Sequence, residues 1–532
     1  MINGNNAEQK LINDKIGHKV IRTAAQTAVL MALLTLISKL LGFVREMIMA
    51  AFFGTSYITD AYVMAQAVPG IIFAGIFGAV GTAYMPMLAE KIEKQGDEAG
   101  NRFTSQAINI VLVVSLCASI IGLVFSDQVT AIFASGFEGE TAKLTSFFIK
   151  VTFSYTLFSA VQGILDSFLQ YKRTFLPQII IGYAQNIIMI AVIILSAVTS
   201  HYFLVFGLLF AYIVKLILYV PLVWKRGMKY HASMKGAKNT IKQISLLAVP
   251  VFIGSSISQI NIFVDKTLAS GLAEGSVSAL NYASLLNNLV MGLTISILTV
   301  IIYPRLAQAN SLNDHHKFSE MSQKGFTIIF MIALPFSLGA MCYSGQIVQI
   351  VYERGAFDPM ATAMTGTAYL FYAGGLLFMA LNEYMVRIYY SMHNMRTPMT
   401  FGCVCVIINI VLNLILVRSM AHNGLALATS IAAFSNTTML FWDLRRKYNH
   451  LTLLPSIKKL IKIIVAAGIS VGLSYLVYAL MTNLIWMPRM IYLAVVVLLA
   501  MVIYIFLLKR FGIEDINILK TLIIRKNDAD MK

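Results

Sequence analysis

Charged residues are scarce in this chain. They make up 12% of its 532 residues, whereas soluble domains carry about 25%. Long hydrophilic stretches are also lacking, since the longest polar interval runs only from about residue 224 to residue 243. These absences exclude an extended soluble domain. With 58% apolar residues and a mean hydropathy of +0.76, the sequence is typical of a polytopic membrane protein.

Cysteine is rare, and its positions argue against cysteine chemistry. Cys117, Cys342, Cys403 and Cys405 all fall in apolar runs. Cys403 and Cys405 are two positions apart, and on a helix such residues point in different directions. We interpret the four as small buried hydrophobic residues rather than as a metal site or a redox pair.

Targeting and catalytic motifs are missing as well. The polar, basic N-terminus lacks the apolar core and cleavage site of a secretory signal. The chain has no phosphate-binding glycine loop and no HExxH motif. We therefore expect a transporter rather than an enzyme, with a cytoplasmic N-terminal tail before an uncleaved first span.

Apolar segments dominate the rest of the chain. A transmembrane helix needs about 20 mostly apolar residues, and fourteen segments meet that length. We predict an all-α polytopic membrane protein with 14 transmembrane helices. The predicted spans are roughly 27–52, 61–84, 105–126, 147–169, 178–199, 203–223, 244–268, 279–302, 325–344, 366–390, 399–417, 423–442, 459–481 and 489–508.

The positions of lysine and arginine predict the orientation. With the N-terminus in the cytoplasm, 31 of the 41 basic residues fall in cytoplasmic segments, 4 in outer loops and 6 inside spans. Because basic residues favour the cytoplasmic side, both termini are expected to be cytoplasmic. The net charge of +17 then reflects attraction to the anionic inner leaflet and does not require nucleic acid.

A weak internal repeat indicates two related halves. Residues 58–90 align without gaps to 276–308, and FVRE (43–46) faces FVDK (263–266). Because six spans separate the equivalents, we predict two six-helix lobes in a parallel pseudo-twofold repeat around a cavity. The predicted domains are a cytoplasmic tail (1–26), an N-lobe of helices 1–6 (27–223), a basic cytoplasmic linker between the lobes (224–243), a C-lobe of helices 7–12 (244–442), two extra C-terminal helices 13–14 (459–508) and a cytoplasmic C-terminal tail (509–532).

Charges inside the first span are the strongest candidates for a binding site. A charge at the centre of a spanning helix costs about 2.5–3.5 kcal/mol, so Lys39, Arg45 and Glu46 are expected to face the cavity. There the cations would attract an anionic headgroup such as a pyrophosphate. The alternative is a structural ion pair of Arg45 with Glu46 or Asp60. For Asp60 we predict one of two roles: it contributes to binding of the headgroup, or it caps the N-terminus of the second helix.

A second group of polar residues lies in spans 7, 11 and 12. Asp265 and Lys266 either coordinate an ion or form an interfacial pair. Asn409 and Asn413 are one helical turn apart and share a face. They hydrogen-bond to neighbouring helices, or they join Asp265 and Thr429 in an all-oxygen shell for a hard cation.

The other charges inside spans are interpreted as structural. Glu383 and Arg387 have the i,i+4 spacing of an ion pair within span 10. Lys150, Asp166 and Lys215 are expected to reach the interface with their polar ends or to pair locally.

Several stretches resemble the MurJ/MviN family, the lipid II flippases of the multidrug/oligosaccharidyl-lipid/polysaccharide exporter superfamily. They are SKLLGFVREMIMAAFFGTSYITDAYVMA (38–65), MPMLAE (85–90), YERGAFDPMAT (352–362) and LFYAGGLLFMALNEYMVRIYYSMHNMRTPM (370–399). The resemblance covers nearly the whole chain. It implies two lobes around a cationic cavity that carry undecaprenyl-diphosphate-linked peptidoglycan precursor to the outer leaflet by alternating access. It also implies an apolar groove for the lipid tail on helices 13 and 14.

The resemblance implies roles for individual residues. Lys39 and Arg45 match the basic cavity residues of span 1, and Asp60 matches the acidic residue of span 2. With Glu46 and Lys266 they form the predicted substrate-binding set. Some members bind Na⁺ between spans 7, 11 and 12, at positions that match Asp265, Asn409, Asn413 and Thr429.

Cavity arginines expected from the family are missing. Phe73 and Ala74 stand where span 2 typically has Arg-Arg, and Ser284 and Leu285 where span 8 has Asp-Arg. Because a diphosphate carries more than one negative charge, this loss weakens its recognition. Either the remaining cations suffice, or the cargo is another polyprenyl-diphosphate-linked oligosaccharide. A drug or cation antiporter is the more distant alternative.

The expected setting follows from the same reasoning. We predict a monomer in the bacterial plasma membrane that contacts lipid II, or a related polyprenyl-diphosphate glycolipid, and the membrane lipids. No tightly bound cofactor is expected, with Na⁺ as a candidate coupling ion.

Overall fold

The computed structural model confirms the all-α class. It describes residues 30–31, 33–232, 237–297, 302–312, 314–448, 454–484, 489–513 and 515. Within these ranges the regular structure is helical and contains no strand. Most of the predicted terminal tails, 1–26 and 509–532, lies outside the described residues.

Sixteen helices follow one another in the described ranges. Three of them (α3, α9 and α11) have only eight or nine residues, too few to cross a bilayer. The helices are α1 (33–53), α2 (Tyr57–Val124), α3 (Ser126–Phe133), α4 (Gly139–Tyr171), α5 (Leu176–Val198), α6 (Phe203–Lys225), α7 (Ala237–Ser270), α8 (Ser276–Ile297), α9 (Tyr303–Ser311), α10 (His315–Cys342), α11 (Ser344–Tyr352), α12 (Pro359–Ser391), α13 (Arg396–Met420), α14 (His422–Lys447), α15 (Ile457–Leu484) and α16 (Arg489–Arg510).

Helix α2 contains a break at Gly96. This residue has φ 82° and ψ 174°, a backbone conformation that glycine adopts without the steric penalty of a side chain. Exposed ion pairs of the i,i+4 type flank it, Lys94 with Glu90 and Arg102 with Glu98. The predicted spans 2 and 3 therefore lie on either side of a polar turn within α2.

Ten helices in the described residues are long and apolar enough to cross a membrane. They coincide with predicted spans 3–6 and 9–14. The predicted spans 1, 2, 7 and 8 all include positions outside the described residues or side chains that the structure does not describe. The multi-pass architecture is thus confirmed, and the count of fourteen stays a prediction.

The chain divides into two compact units. Unit 1 comprises residues 1–52, 72–127 and 146–253. Its core joins α2, α4 and α6 through buried aromatic and aliphatic side chains, among them Tyr84, Phe103 and Tyr219. Because lipid is as apolar as these side chains, close packing and hydrogen bonds hold such a core together in a membrane.

Unit 2 comprises residues 53–71, 128–145 and 254–532. Its core joins α8, α10, α12, α14, α15 and α16. Tyr384 is fully buried, and its hydroxyl donates to the Ser322 carbonyl at 2.6 Å. Tyr389 likewise donates to the Leu440 carbonyl at 3.1 Å. The predicted N-lobe and C-lobe follow other boundaries and stay a prediction.

Candidate functional site

Helix α1 places Arg45 and Glu46 side by side in unit 1. Arg45 Nε and Nη2 donate to Glu46 Oε1 at 3.1 and 2.5 Å. Both side chains are mostly buried, with 28% and 19% exposed, so this is one of the two ion pairs that the sequence allowed. Lys39 lies earlier on α1 and is exposed.

Asn186 on α5 is a neighbour of Arg45 that the sequence analysis did not identify. Its Oδ1 accepts from Arg45 Nη1 at 3.4 Å, and its Nδ2 donates to the Gly182 carbonyl at 3.1 Å. Gly42 lies near it, since a Cβ at this position would make an ordinary van der Waals contact with Asn186 Oδ1 at 3.7 Å. The available signal was a polar pair, Gln185-Asn186, within an otherwise apolar span.

Asp60 lies at the start of α2 in unit 2 and caps another helix, α8. The backbone N–H groups of Gly275 and Ser278 donate to its two carboxylate oxygens, each at 2.7 Å. The side chain is 2% exposed. A carboxylate at a helix N-terminus satisfies free donors and interacts favourably with the helix dipole.

The capping is reciprocal. Glu274, which precedes α8, accepts from the N–H of Tyr57 in the first turn of α2 at 2.8 Å. Gly275 makes the close approach possible, because its φ is +85° and a Cβ there would lie 2.4 Å from the Thr55 carbonyl oxygen. Lys266 on α7 interacts electrostatically with Asp60. Its ammonium thus belongs to this buried polar group.

The predicted cation ligands come together in unit 2. Asn413 Nδ2 donates to Asp265 Oδ1 at 2.5 Å and to Asn409 Oδ1 at 2.7 Å. Asn409 Nδ2 lies 3.5 Å from Thr429 Oγ1. Asn409 and Asn413 are 2% and 0% exposed, and Lys266 interacts electrostatically with Asp265. The group connects α7, α13 and α14.

The donor set of this group fits a hard cation. A carboxylate, two amide oxygens and a hydroxyl are the ligands that such cations prefer. Asn413 Oδ1 is buried and has no hydrogen-bond partner, so a half-turn of this amide would present a free oxygen beside Asp265. Groups of three or more His, Cys, Asp or Glu suited to a transition metal are absent from the described residues.

The positions that depart from the family pattern hold apolar or small side chains. Phe73 packs edge-to-face on Phe153, with ring centroids 5.8 Å apart and planes at 87°. Ser284 Oγ donates to the Asn281 carbonyl at 2.9 Å, and the side chain of Ala74 is not described. Neither Phe73 nor Ser284 supplies a cation.

The pair expected between Glu383 and Arg387 is not formed. These two side chains, both in the described part of α12, make no ion pair within 4.0 Å, and Arg387 Nε is buried without a hydrogen-bond partner. The i,i+4 spacing permits a bridge on a helix but does not require one.

An apolar cavity of about 650 Å³ lies within unit 2. Its walls come from α8, α10, α11, α12, α15 and α16, with Leu286, Phe336, Val471 and Met501 among the lining residues. Tyr343 and Ser474 also line it, and their hydroxyls hydrogen-bond to each other at 2.9 Å. A cavity of this composition suits a hydrocarbon chain.

Comparisons with known proteins identify the family of this chain. The family model described as "Lipid II flippase MurJ" matches residues 49–504. A "Probable lipid II flippase MurJ" from Rhizobium meliloti (strain 1021) is 28% identical over 456 residues, which are 83% of this chain and 84% of the relative.

Solved structures give the same result. "Lipid II flippase MurJ, inward closed conformation" superposes with a TM-score of 0.79 at 25% identity, over 92% of this chain and all of that one. An inward-facing multidrug transporter of the MATE family shares the fold, with a TM-score of 0.62 at 12% identity over 76% of this chain and 95% of the other. This chain therefore belongs to the MurJ family of lipid II flippases.

Proposed function

We infer that this protein is a multi-pass inner-membrane transporter that moves lipid II across the membrane for cell-wall synthesis. The observation that carries this inference is the family match over residues 49–504. The site agrees with it, because a mostly buried arginine with donors on one planar group is suited to a diphosphate.

We propose that Lys39, Arg45, Glu46, Asp60 and Lys266 serve the substrate cavity during transport from the inner to the outer leaflet by alternating access. The predicted cytoplasmic segments contain 31 basic residues and the predicted outer loops contain 4, which supports cytoplasmic termini. The reciprocal caps support two lobes in a parallel pseudo-twofold repeat, because Asp60 bonds to Ser278, its own equivalent in the aligned repeat. A functional monomer is part of the same proposal.

The lipid tail is assigned to the apolar cavity of unit 2. Helices α15 and α16, which cover the predicted segment 459–508, supply part of its wall. The nearly hydrocarbon lining favours a polyprenyl chain over a polar ligand. The headgroup and the tail would then contact different parts of the protein.

The proposal is tested in cells whose own lipid II flippase can be depleted. Expression of this protein is expected to restore lipid II on the outer leaflet, measured with an impermeant label or a lipid II-cleaving toxin. A well-expressed, correctly inserted protein that restores nothing would contradict the lipid II assignment.

Another lipid-linked glycan is the alternative cargo, and Phe73 is the observation that favours it. The Phe73–Phe153 contact fills a position where the family carries a cation. In the depleted cells, this alternative predicts no lipid II exposure but transport of a different polyprenyl-diphosphate-linked oligosaccharide.

We further propose that Asp265, Asn409, Asn413 and Thr429 bind Na⁺ as a coupling ion. Support comes from the short contacts among these side chains and the unpaired Asn413 Oδ1. A bound cation would add to the positive charge that Lys266 supplies near the Asp265 carboxylate. These residues would hold the ends of α7, α13 and α14 in one arrangement.

Sodium is expected to raise the melting temperature of the purified protein relative to equal potassium. A ligand at 100 times its Kd stabilises the folded state by about 2.7 kcal/mol. Asp265→Asn removes the charge and is expected to abolish the difference. Thr438→Val, an exposed change on the same helix as Thr429, is the control and should retain it. Equal melting of the wild type in both salts would contradict the sodium site.

A further inference from the structure

Lys215 on α6 is a cation in unit 1 that the proposed site does not yet use. The side chain is partly buried. In the part of the chain that the structure describes, its ammonium makes no hydrogen bond and no ion pair within 4.0 Å. Its Nζ lies 5.9 Å from the centre of the Tyr212 ring. Such a cation inside an apolar lobe is costly unless a ligand or counter-charge meets it.

Tyr212 connects this lysine to the surroundings of Arg45. The Tyr212 side chain interacts electrostatically with Arg45. Its ring stacks on Tyr155, with centroids 4.5 Å apart and planes at 15°. Gln162 Nε2 donates to the Tyr212 carbonyl at 2.8 Å. Tyr212 is therefore held firmly, with Lys215 near its ring and Arg45 within electrostatic range.

A carboxylate accompanies each of the two cations, but the two carboxylates are placed differently. Glu46 contacts Arg45 directly. Asp166 interacts with Lys215 only at longer range, and its Oδ1 accepts a hydrogen bond from the Tyr219 hydroxyl. Gln178 Nε2 donates to the Asp166 carbonyl at 2.8 Å and fixes this part of α4. Lys215 thus keeps its donors free for an incoming anion.

From this arrangement we propose that Lys215 is a second diphosphate-binding residue of unit 1, which acts beside Arg45 and replaces a cation missing at Phe73. The proposal rests on the proposed function. Arg45 would contact one phosphate and Lys215 the other, with Tyr212 setting the distance between them. A diphosphate then gains a charge-assisted contact that a monophosphate lacks.

Binding to the full-length protein in nanodiscs tests the assignment. The probes are undecaprenyl diphosphate and undecaprenyl phosphate, and the wild type is expected to prefer the diphosphate. Lys215→Gln should weaken diphosphate binding about 10-fold to 100-fold, the usual loss for one hydrogen bond to a charged group. Monophosphate binding should change little, so that the preference falls. Lys215→Arg should restore most of it.

Two controls separate ligand contact from structure. Lys150→Gln removes another in-span lysine of unit 1 and should leave the preference at the wild-type value. The melting transition of each variant is measured first. If Lys215→Gln lacks a transition, Lys215→Met retains the apolar stem and carries the same prediction.

The outcomes distinguish this assignment from the proposed function. If the wild type binds neither the diphosphate nor lipid II, the proposed function fails. If the wild type binds both and Lys215→Gln binds the diphosphate as well as it does, only the Lys215 assignment is overturned. Equal weakening of both probes would also overturn it, because a merely structural lysine does not alter the preference.

Discussion

Replacing Arg45 by alanine is expected to abolish delivery of lipid II to the outer leaflet. The change removes the one planar donor group that α1 holds in place through Glu46 and Asn186. It also leaves the Glu46 carboxylate without its partner in an apolar lobe, so the net charge of this pair changes from neutral to negative. Loss of one charge-assisted contact weakens binding by about tenfold or more, and repulsion of the diphosphate adds to this. The measurement is outer-leaflet lipid II in the depleted cells.

The control for this prediction is Arg102→Ala. Arg102 forms an exposed pair with Glu98 in which both side chains are more than half exposed, and exposed pairs contribute little. Exposure of lipid II should stay at the wild-type level. Arg45→Lys should fall between the two, because an ammonium keeps the charge but not the bidentate geometry. Full activity of Arg45→Ala at normal expression would exclude Arg45 from the substrate site.

The second large effect is expected on stability, from Asp60→Ala. The change leaves the Gly275 and Ser278 N–H groups without their acceptor. It also removes a carboxylate that interacts with the Lys266 ammonium. Leaving a buried donor without its acceptor costs about 1–3 kcal/mol, and two donors are affected here. We expect a melting temperature several degrees lower, measured on purified protein in detergent.

A second substitution tests whether the loss of stability in Asp60→Ala comes from the Lys266 ammonium that is left without a counter-charge. Adding Lys266→Met to Asp60→Ala should recover part of the lost stability, because no uncompensated ammonium is then left behind. Asp97→Ala removes an acidic residue whose side chain is 74% exposed, and it should melt like the wild type. If Asp60→Ala melts normally but blocks lipid II exposure, Asp60 serves binding alone and its capping contacts are dispensable.

Local sequence patterns, namely the length of apolar segments and the spacing of polar residues, predicted much of the fold. Apolar length identified the ten helices that the structure shows to be long enough to span a membrane. The i,i+4 spacing of Asn409 and Asn413 predicted their shared face, and the two amides hydrogen-bond at 2.7 Å. These predictions succeed because a helix fixes the direction of each side chain from its position in the sequence.

The sequence could not decide which alternative partner each polar group takes. The Glu383–Arg387 spacing favoured an ion pair that the structure does not contain, while Arg45 does pair with Glu46. Neighbouring helices supply competing partners, and their identity depends on how they pack. Asn186, 141 residues from Arg45, has no local signal beyond its polarity.

By itself, the sequence determined that this protein is a multi-pass helical membrane protein of the MurJ type with charges inside its first span. Only the tertiary structure decided which residues those charged side chains contact. Asp60 caps a helix 215 residues away, and Asp265 meets Asn413 148 residues away. The length of an apolar segment and the basic residues beside it can be identified from that segment alone, because lipid and water act on each helix separately. The partner of a buried polar group depends on which helix lies beside it, and packing between distant segments decides that.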